Sequence, residues 1–235
     1  MKIFYVRHGE PTYDPDELTP QGVIQANALS NRLSKIDFDV IYSSTSNRAY
    51  QTGEPTAQKL NKEIIQLDFA NEKYAWKYFR VKNEEDKYNW ACAVDWTREL
   101  FASAEIRDMG DKWYEHPAFK DTNFERGIKH IYDEVDKFML SLGYEHLRYT
   151  GKYKVVSKTP KNIALFAHAG FGEAFLSCLL DIPYPQLCTH FDMCHTGMSV
   201  ISFSEKNGIS IPCIKMFSAD SHLYHENVKC VGIDY

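Results

Sequence analysis

Residues 4–14 read FYVRHGEPTYD, and they continue an apolar run, KIFYV (2–6), that ends on Arg7, His8 and Gly9. The run is short, β-branched and aromatic, and a glycine stops it, which predicts a buried strand. A strand that carries an arginine and an imidazole to its carboxyl end puts them where open α/β sheets bind ligands. The question is whether the rest of the chain builds such a sheet.

Downstream, LTPQGVIQANALSNRLSKI offers Thr19 as N-cap and Pro20 at the first helical position. Gly22, Ala26, Leu29 and Leu33 then recur at helical spacing, so this is a helix with a packed stripe. FDVIYSS (38–44) is a second strand, SNRAYQTGEPTAQKL a helix bent by Gly53 and Pro55, and EIIQLDF (63–69) a third strand. Strand and helix thus alternate through the first third, which implies parallel strands joined by right-handed crossovers.

The alternation lapses from about 73 to 120, where Trp76, Trp90, Trp96 and Trp113 mix with the charges of KNEEDK. This segment reads as a helical insertion or cap folded over the site. Its Lys73, Lys77, Arg80 and Lys82 suit a substrate-facing wall, or equally a solvated cap with a small core of its own. Order returns in DTNFERGIKHIYDEVDKFMLSLG, where Phe124, Ile128, Ile131, Val135, Phe138 and Leu142 mark one helical face and Gly143 ends it. LRYTGKYKVV predicts a hairpin turning near Gly151, NIALFAH (162–168) a fourth apolar strand, and FGEAFLSCLL the helix after it. GMSVISFS and ISIPCIKMFS then flank an Asn207-Gly208 turn. The reading is one α/β domain over 1–235, a three-layer sandwich with a mostly parallel central sheet flanked by helices.

Composition agrees: 235 residues, 44% hydrophobic and 25% charged, describe a chain able to bury its own core. A net charge of −5 gives no general attraction to nucleic acid or anionic membranes, so an anionic ligand must be drawn by particular arginines. The six cysteines (92, 178, 188, 194, 213 and 230) are scattered, the N-terminus is too short in apolar residues for a signal peptide, and no run spans a bilayer. These features imply a cytoplasmic protein with reduced thiols and no membrane association.

Two strand ends carry a histidine: YVRHGE gives His8 and LFAHAG gives His168. Parallel neighbours would bring them to one edge. The second strand exits into SSTSNRAYQT, with Arg48 in the first helical turn, and the third into LDFANEK, with Glu72 just beyond. Arg7, Arg48, His8 and His168 together suit a phosphoryl group, whose oxygens need positioned cations. A neutral imidazole is a competent nucleophile for phosphorus, and a carboxylic acid of raised pKa can protonate the leaving alkoxide. His8 and Glu72 fit those roles. Asp68 and Glu10 are rivals to Glu72, which at a helix start also serves the helix dipole.

RHGEP, LTPQG, SSTSNRAYQT and FAHAG, in that order and at these intervals, resemble the histidine phosphatase superfamily, in its phosphoglycerate mutase-like branch. The resemblance covers about 1–72 and 120–218. It implies that Arg7, Arg48, His168 and the backbone at Ala169 bind phosphate, that His8 is phosphorylated, and that Glu72 is the acid. It also implies no cofactor, no metal and a small phosphorylated substrate. Three departures shape the expectation. Ala169 stands where a glycine often follows, the segment after Glu72 lacks the pattern of glycolytic mutases, and Arg-His-Gly is not followed by the RxP of the acid phosphatase branch. A phosphatase is therefore expected ahead of a cofactor-dependent phosphoglycerate mutase or a silent phospho-ligand binding module, and a homodimer is compatible with it.

One further cluster, CTHFDMCH (188–195), gathers Cys188, His190, Asp192, Cys194 and His195. An extended chain would not bring all five to one point, and no second cluster with zinc spacing answers it, so no metal is expected there. His222, in SHLYH, is read as capping a turn near the site or as having no role.

Overall fold

The computed structural model describes residues 1–228; Cys230 lies outside them. The strands are β1 (Lys2–Arg7), β2 (Pro11–Tyr13), β3 (Asp16–Leu18), β4 (Val40–Ser44), β5 (Ile64–Leu67), β6 (Arg80–Lys82), β7 (Tyr88–Trp90), β8 (Tyr144–Leu147), β9 (Lys152–Val155), β10 (Asn162–Ala167), β11 (Met198–Lys206) and β12 (Ile209–Ala219). The helices are α1 (Pro20–Leu33), α2 (Asn47–Leu60), α3 (Glu72–Phe79), α4 (Asp95–Ala102), α5 (Ala104–Met109), α6 (Phe124–Ser141), α7 (Ala169–Leu180), α8 (Tyr184–His190) and α9 (Ser221–His225).

One eight-stranded sheet runs β5-β4-β10-β1-β11-β12-β9-β8. Its site-bearing half, β5-β4-β10-β1, is parallel, with Arg7 level with Ala167 and Ser43 level with Phe166. The other half turns antiparallel at β11 and is completed by two hairpins. The parallel register is what carries the exits of β1, β4 and β10 to a common edge.

Helices cover both faces. Beneath one lie Phe4, Val6, Leu29, Leu33, Phe38, Ile41 and Phe166, in a core closed by α1 and α2. At Gly53 a Cβ would stand 2.8 Å from the Phe166 ring, so this glycine lets α2 lie close on the sheet, and the helix runs unbroken through Pro55. The other face holds the larger core. Phe101, Trp113 and Phe119 of the 73–120 insertion pack there with Phe124 of α6 and Tyr184 of α8, ring to ring at 5.1–6.4 Å. The insertion therefore shares its core with α6 and α8 rather than enclosing a separate one.

Thr19 caps α1 as its sequence position predicts, its Oγ1 accepting from Gly22 N–H at 3.0 Å. The hairpin β2-β3 had no sequence signal. It folds Tyr13 and Asp16 back over the start of α2, and that position matters below.

Candidate active site

Beyond the carboxyl ends of the parallel strands lies a cavity of about 490 Å³, lined by Arg7, His8, Arg48, Glu72, Ala169 and Gly170 together with Tyr13, Asn71, Lys73, Trp76 and Trp90. Five of the six residues predicted for the site line it. His168, the sixth, lies directly behind.

His8 is buried, and its Nδ1 is 2.7 Å from the Gly9 carbonyl. A carbonyl only accepts, so Nδ1 carries the proton and Nε2 keeps its lone pair. Burial, and then the fields of Arg48 and Arg7 and of His195, push the imidazole well below its ordinary pKa, so the ring is neutral at physiological pH. The backbone that holds it is tightly packed. A Cβ on Gly9 would meet the Gly22 carbonyl at 2.8 Å, and one on Gly22 would meet the Glu10 carbonyl at 2.1 Å. Gly9 has no positive φ. The glycine is thus required by close approach to α1, and not by a sharp turn.

Arg48 reaches the cavity from the first turn of α2. Its Nη1 donates to Asp16 Oδ1 at 2.7 Å, its Nη2 lies 3.1 Å from His168 Nδ1, and its guanidinium lies 5.2 Å from the centre of the Tyr13 ring. Asp16 also accepts from Ser46 Oγ and from the Asn47 N–H, so one carboxylate fixes both the helix start and the arginine. Arg7 donates through Nη1 to the Met193 carbonyl and is 3.9 Å from Asp192.

His168 is fully buried, with Nε2 2.9 Å from Ser44 Oγ and its backbone N–H donating to Tyr5 Oη at 3.2 Å. Its Nδ1 faces Arg48 and, at 3.2 Å, Glu72 Oε2. Since a guanidinium only donates, Nδ1 accepts from it and Nε2–H turns to Ser44. Burial, with His8, Arg48 and Arg7 nearby, also holds this ring neutral. The His8 and His168 rings lie 5.2 Å apart.

Glu72 opens α3, and its Oε1 accepts from the Phe171 N–H at the start of α7 at 3.0 Å. Burial pushes its pKa up to about 7, against the pull of Arg48, the Phe171 N–H and Arg7. Neither rival carboxylate is placed for the role. Asp68 falls in a short turn after β5, exposed and bound by Lys73 and Tyr74, while Glu10 accepts from Thr19.

His8, Glu72 and His168 stand close enough to share a cation. Arg7 and Arg48 border the same space, and two permanent positive charges favour an anion there instead. Cys188 to His195 disperse among the described residues: Asp192 turns to Arg7, Cys194 to Ser218, and His195 lies 5.8 Å from His8. His222 bonds Thr196 Oγ1 at 3.0 Å, and Thr196 N–H reaches the Arg7 and His8 carbonyls. It thereby braces the loop behind His8. Of the insertion's basic residues Lys73 lines the cavity; Arg80 lies over Tyr88 and Lys82 pairs with Asp86.

The profile described as Histidine phosphatase superfamily (branch 1) matches residues 3–116. Phosphoserine phosphatase 1 of Hydrogenobacter thermophilus is 27% identical over 177 residues, which is 71% of this chain and 74% of that protein. Among solved structures, phosphoserine phosphatase from Entamoeba histolytica in complex with 3-phosphoglyceric acid aligns at a TM-score of 0.58 and 20% identity, covering 94% of this chain and 98% of the other. A mycobacterial glucosyl-3-phosphoglycerate phosphatase with inorganic phosphate aligns at 0.59 and 16%, over 94% and 98%. At these identities the two structures speak for the fold.

Proposed function

We propose that this chain, whose residues 3–116 match the profile of the histidine phosphatase superfamily (branch 1), is a phosphomonoesterase of that superfamily which hydrolyses small phosphorylated metabolites through a phosphohistidine at His8. The observation that carries this is the neutral His8 ring with its Nδ1 proton held by Gly9, so that the Nε2 lone pair meets a cavity bordered by Arg7, Arg48 and the Glu72 carboxyl.

The phosphoryl oxygens are received by the Arg7 and Arg48 guanidiniums and the N-terminus of α7 at Ala169 and Gly170. As Arg48 turns to them it releases His168 Nδ1, which takes up a proton from solvent beside the anionic group and donates to it. Nε2 of His8 attacks phosphorus in line; the P–N bond forms as the bond to the ester oxygen breaks. Glu72 gives its proton to the leaving oxygen, and the resulting carboxylate takes one from the incoming water. That water breaks the P–N bond, releasing inorganic phosphate and the free imidazole. Both chemical steps run without a metal ion in this scheme, since the Arg7 and Arg48 guanidiniums, with His168 once protonated, offset the developing charge.

The cavity volume falls in the range of small-molecule sites, and Trp76, Trp90 and Lys73 bound the end away from His8 as the leaving-group wall. Hydrolysis of p-nitrophenyl phosphate in EDTA, with acid-labile phosphate trapped on His8 after rapid quenching, is the expected result. Activity wholly dependent on an added divalent metal overturns it. Phosphoglycerate interconversion primed by a bisphosphate, outpacing hydrolysis, would favour the mutase reading.

A further inference from the structure

Trp76 of α3 and Trp90 of β7 both line the cavity, and they meet there in a steep corner, with ring centres 5.1 Å apart and planes inclined by 75°. The start of α7 sets the depth of one of them. A Cβ on Gly170 would stand 2.5 Å from Trp90 Cη2 and 2.8 Å from Glu72 Oε1, so a glycine there lets the indole lie beside the carboxyl. The ester oxygen that takes the Glu72 proton has to come within hydrogen-bond reach of that carboxyl. The first atoms of the leaving group therefore pass along the Trp90 ring.

The corner is built before any ligand arrives. Trp90 is half-buried against the larger core and is paired with Arg80 across the β6-β7 hairpin. The Arg80 guanidinium in turn lies 5.8 Å from the centre of the Trp76 ring and 4.4 Å from that of Tyr88, which ties α3 to the hairpin. The polar groups at this end of the cavity are already engaged. Lys73 Nζ is 2.9 Å from Asp68, Asn71 donates to Thr45 Oγ1 at 3.0 Å and accepts from the Lys73 N–H, and the Tyr13 ring faces Arg48. What the wall offers a leaving group is ring surface. A flat ring laid on one indole of a 75° corner meets the other edge to face, and both are favoured geometries for aromatic pairs; a saturated ring of the same size gains only its burial.

We propose that Trp76 and Trp90 are specificity-determining residues that select phosphomonoesters with an aromatic ring on, or next to, the ester oxygen: aryl and arylmethyl phosphates. The inference rests on the phosphatase reading and selects within it. With the phosphoryl group held between Arg7 and Arg48 and the ester oxygen at Glu72, the ring of such a substrate lies in the indole corner, where it also keeps water from the acid.

The test compares benzyl phosphate with cyclohexylmethyl phosphate, a saturated ring of like size on an alcohol of like acidity, and includes propyl and p-nitrophenyl phosphates. The unmodified protein is expected to favour the benzyl over the cyclohexylmethyl ester by about fivefold in kcat/KM, mainly through KM, which is the worth of one aromatic pair beyond the area it buries. Trp90→Leu should bring that ratio to near one and Trp76→Leu should lower it by about half or more, while Trp90→Phe, which keeps a ring, retains most of it. A thermal melt of each variant checks that it is folded, and the ratio in the unmodified protein decides the matter if the leucine variants are not. A ratio near one in the unmodified protein, or a preference that survives both leucine substitutions, overturns this inference alone. So does an equal loss for every ester in those variants, which would make the indoles a cover for Glu72 only, and so does turnover of p-nitrophenyl phosphate without the benzyl ester. No hydrolysis of any of the four esters overturns the phosphatase reading and this inference with it.

Discussion

Two buried histidine side chains in this protein differ in charge. His8 at the cavity floor is pushed neutral, while His146, at the far end of the sheet on β8, is raised to about 9. Desolvation works against the charged form in both. The difference is in the neighbours. His8 faces two guanidiniums and another imidazole, whereas His146 lies between Asp136, 2.8 Å from Nδ1, and Asp181, 3.3 Å from Nε2, with the Tyr153 ring stacked on it at 4.3 Å. Arg148 extends this second cluster to Asp136 and Asp133. Asp136, His146 and Cys178 are compact enough for a metal ion, but the guanidinium and the charged imidazole already balance the carboxylates. One centre keeps its imidazole free to react; the other spends its charge in tying α6, β8 and the end of α7 together.

The contrast is broken most completely at the reactive end. His8→Ala removes the nucleophile, and turnover of p-nitrophenyl phosphate should drop by on the order of 10⁴ or more with the circular dichroism spectrum unchanged. Residual activity within tenfold of the unmodified protein would show that His8 is not the phosphoryl acceptor.

Glu72→Gln comes next, with kcat for alkyl esters lowered by about 10²–10³ and p-nitrophenyl phosphate, whose leaving group needs less protonation, hurt less. The sign of the pH effect follows from the raised carboxyl. The acid is in its working form below about 7, so kcat/KM should fall as pH rises through that value, and the fall should vanish in Glu72→Gln. His8 adds no limb there, since its ring loses its proton at far lower pH. A profile rising from pH 6 to pH 8 would contradict both assignments.

At the other histidine the readout is stability. His146→Phe leaves Asp136 and Asp181 without their shared cation and should cost about 3 kcal/mol in urea unfolding, with the folded fraction still active. Because the folded pKa is raised above the unfolded value, the contribution of His146 is complete below about 6.5 and is lost as pH climbs through about 9. Unfolding midpoints should therefore decline over that window in the unmodified protein and stay flatter in the variant. Equal slopes would sever the link.

How far the sequence alone reached depends on the scale of the signal. The parallel half-sheet was legible because β1, β4 and β10 are apolar runs closed by punctuating residues, and the same runs brought Arg7, His8 and His168 to one edge. Glu72 was legible as the first acid beyond the segment read as a strand over 63–69, although β5 itself ends at Leu67 and Asp68 follows it. What stayed hidden depends on long-range placement. Asp136, His146 and Asp181 come from three elements and share no spacing. That His168 lies behind Arg48 is a matter of side-chain depth, which periodicity does not encode. The hairpin β2-β3, with three residues in each strand, is too short to show alternation, so Tyr13 and Asp16 had no signal at all.

That hidden hairpin supports the smallest of the expected effects. Asp16 accepts from Arg48, Ser46 and the Asn47 N–H, and those bonds hold its own pKa below the usual carboxylate range despite partial burial. Asp16→Asn keeps the shape but weakens the charge-assisted bond to Nη1, so Arg48 is oriented by Tyr13 and His168 alone. Because Arg48 meets the phosphoryl group both in the bound ester and at the transition state, the loss should be shared: KM for a phosphomonoester rises a few-fold, and kcat/KM falls by about tenfold. Inhibition by inorganic phosphate should weaken by a factor like that in KM. A variant with weaker stability but unaltered phosphate inhibition would make Asp16 a cap for α2 and nothing more, and would return the orientation of Arg48 to the imidazole behind it.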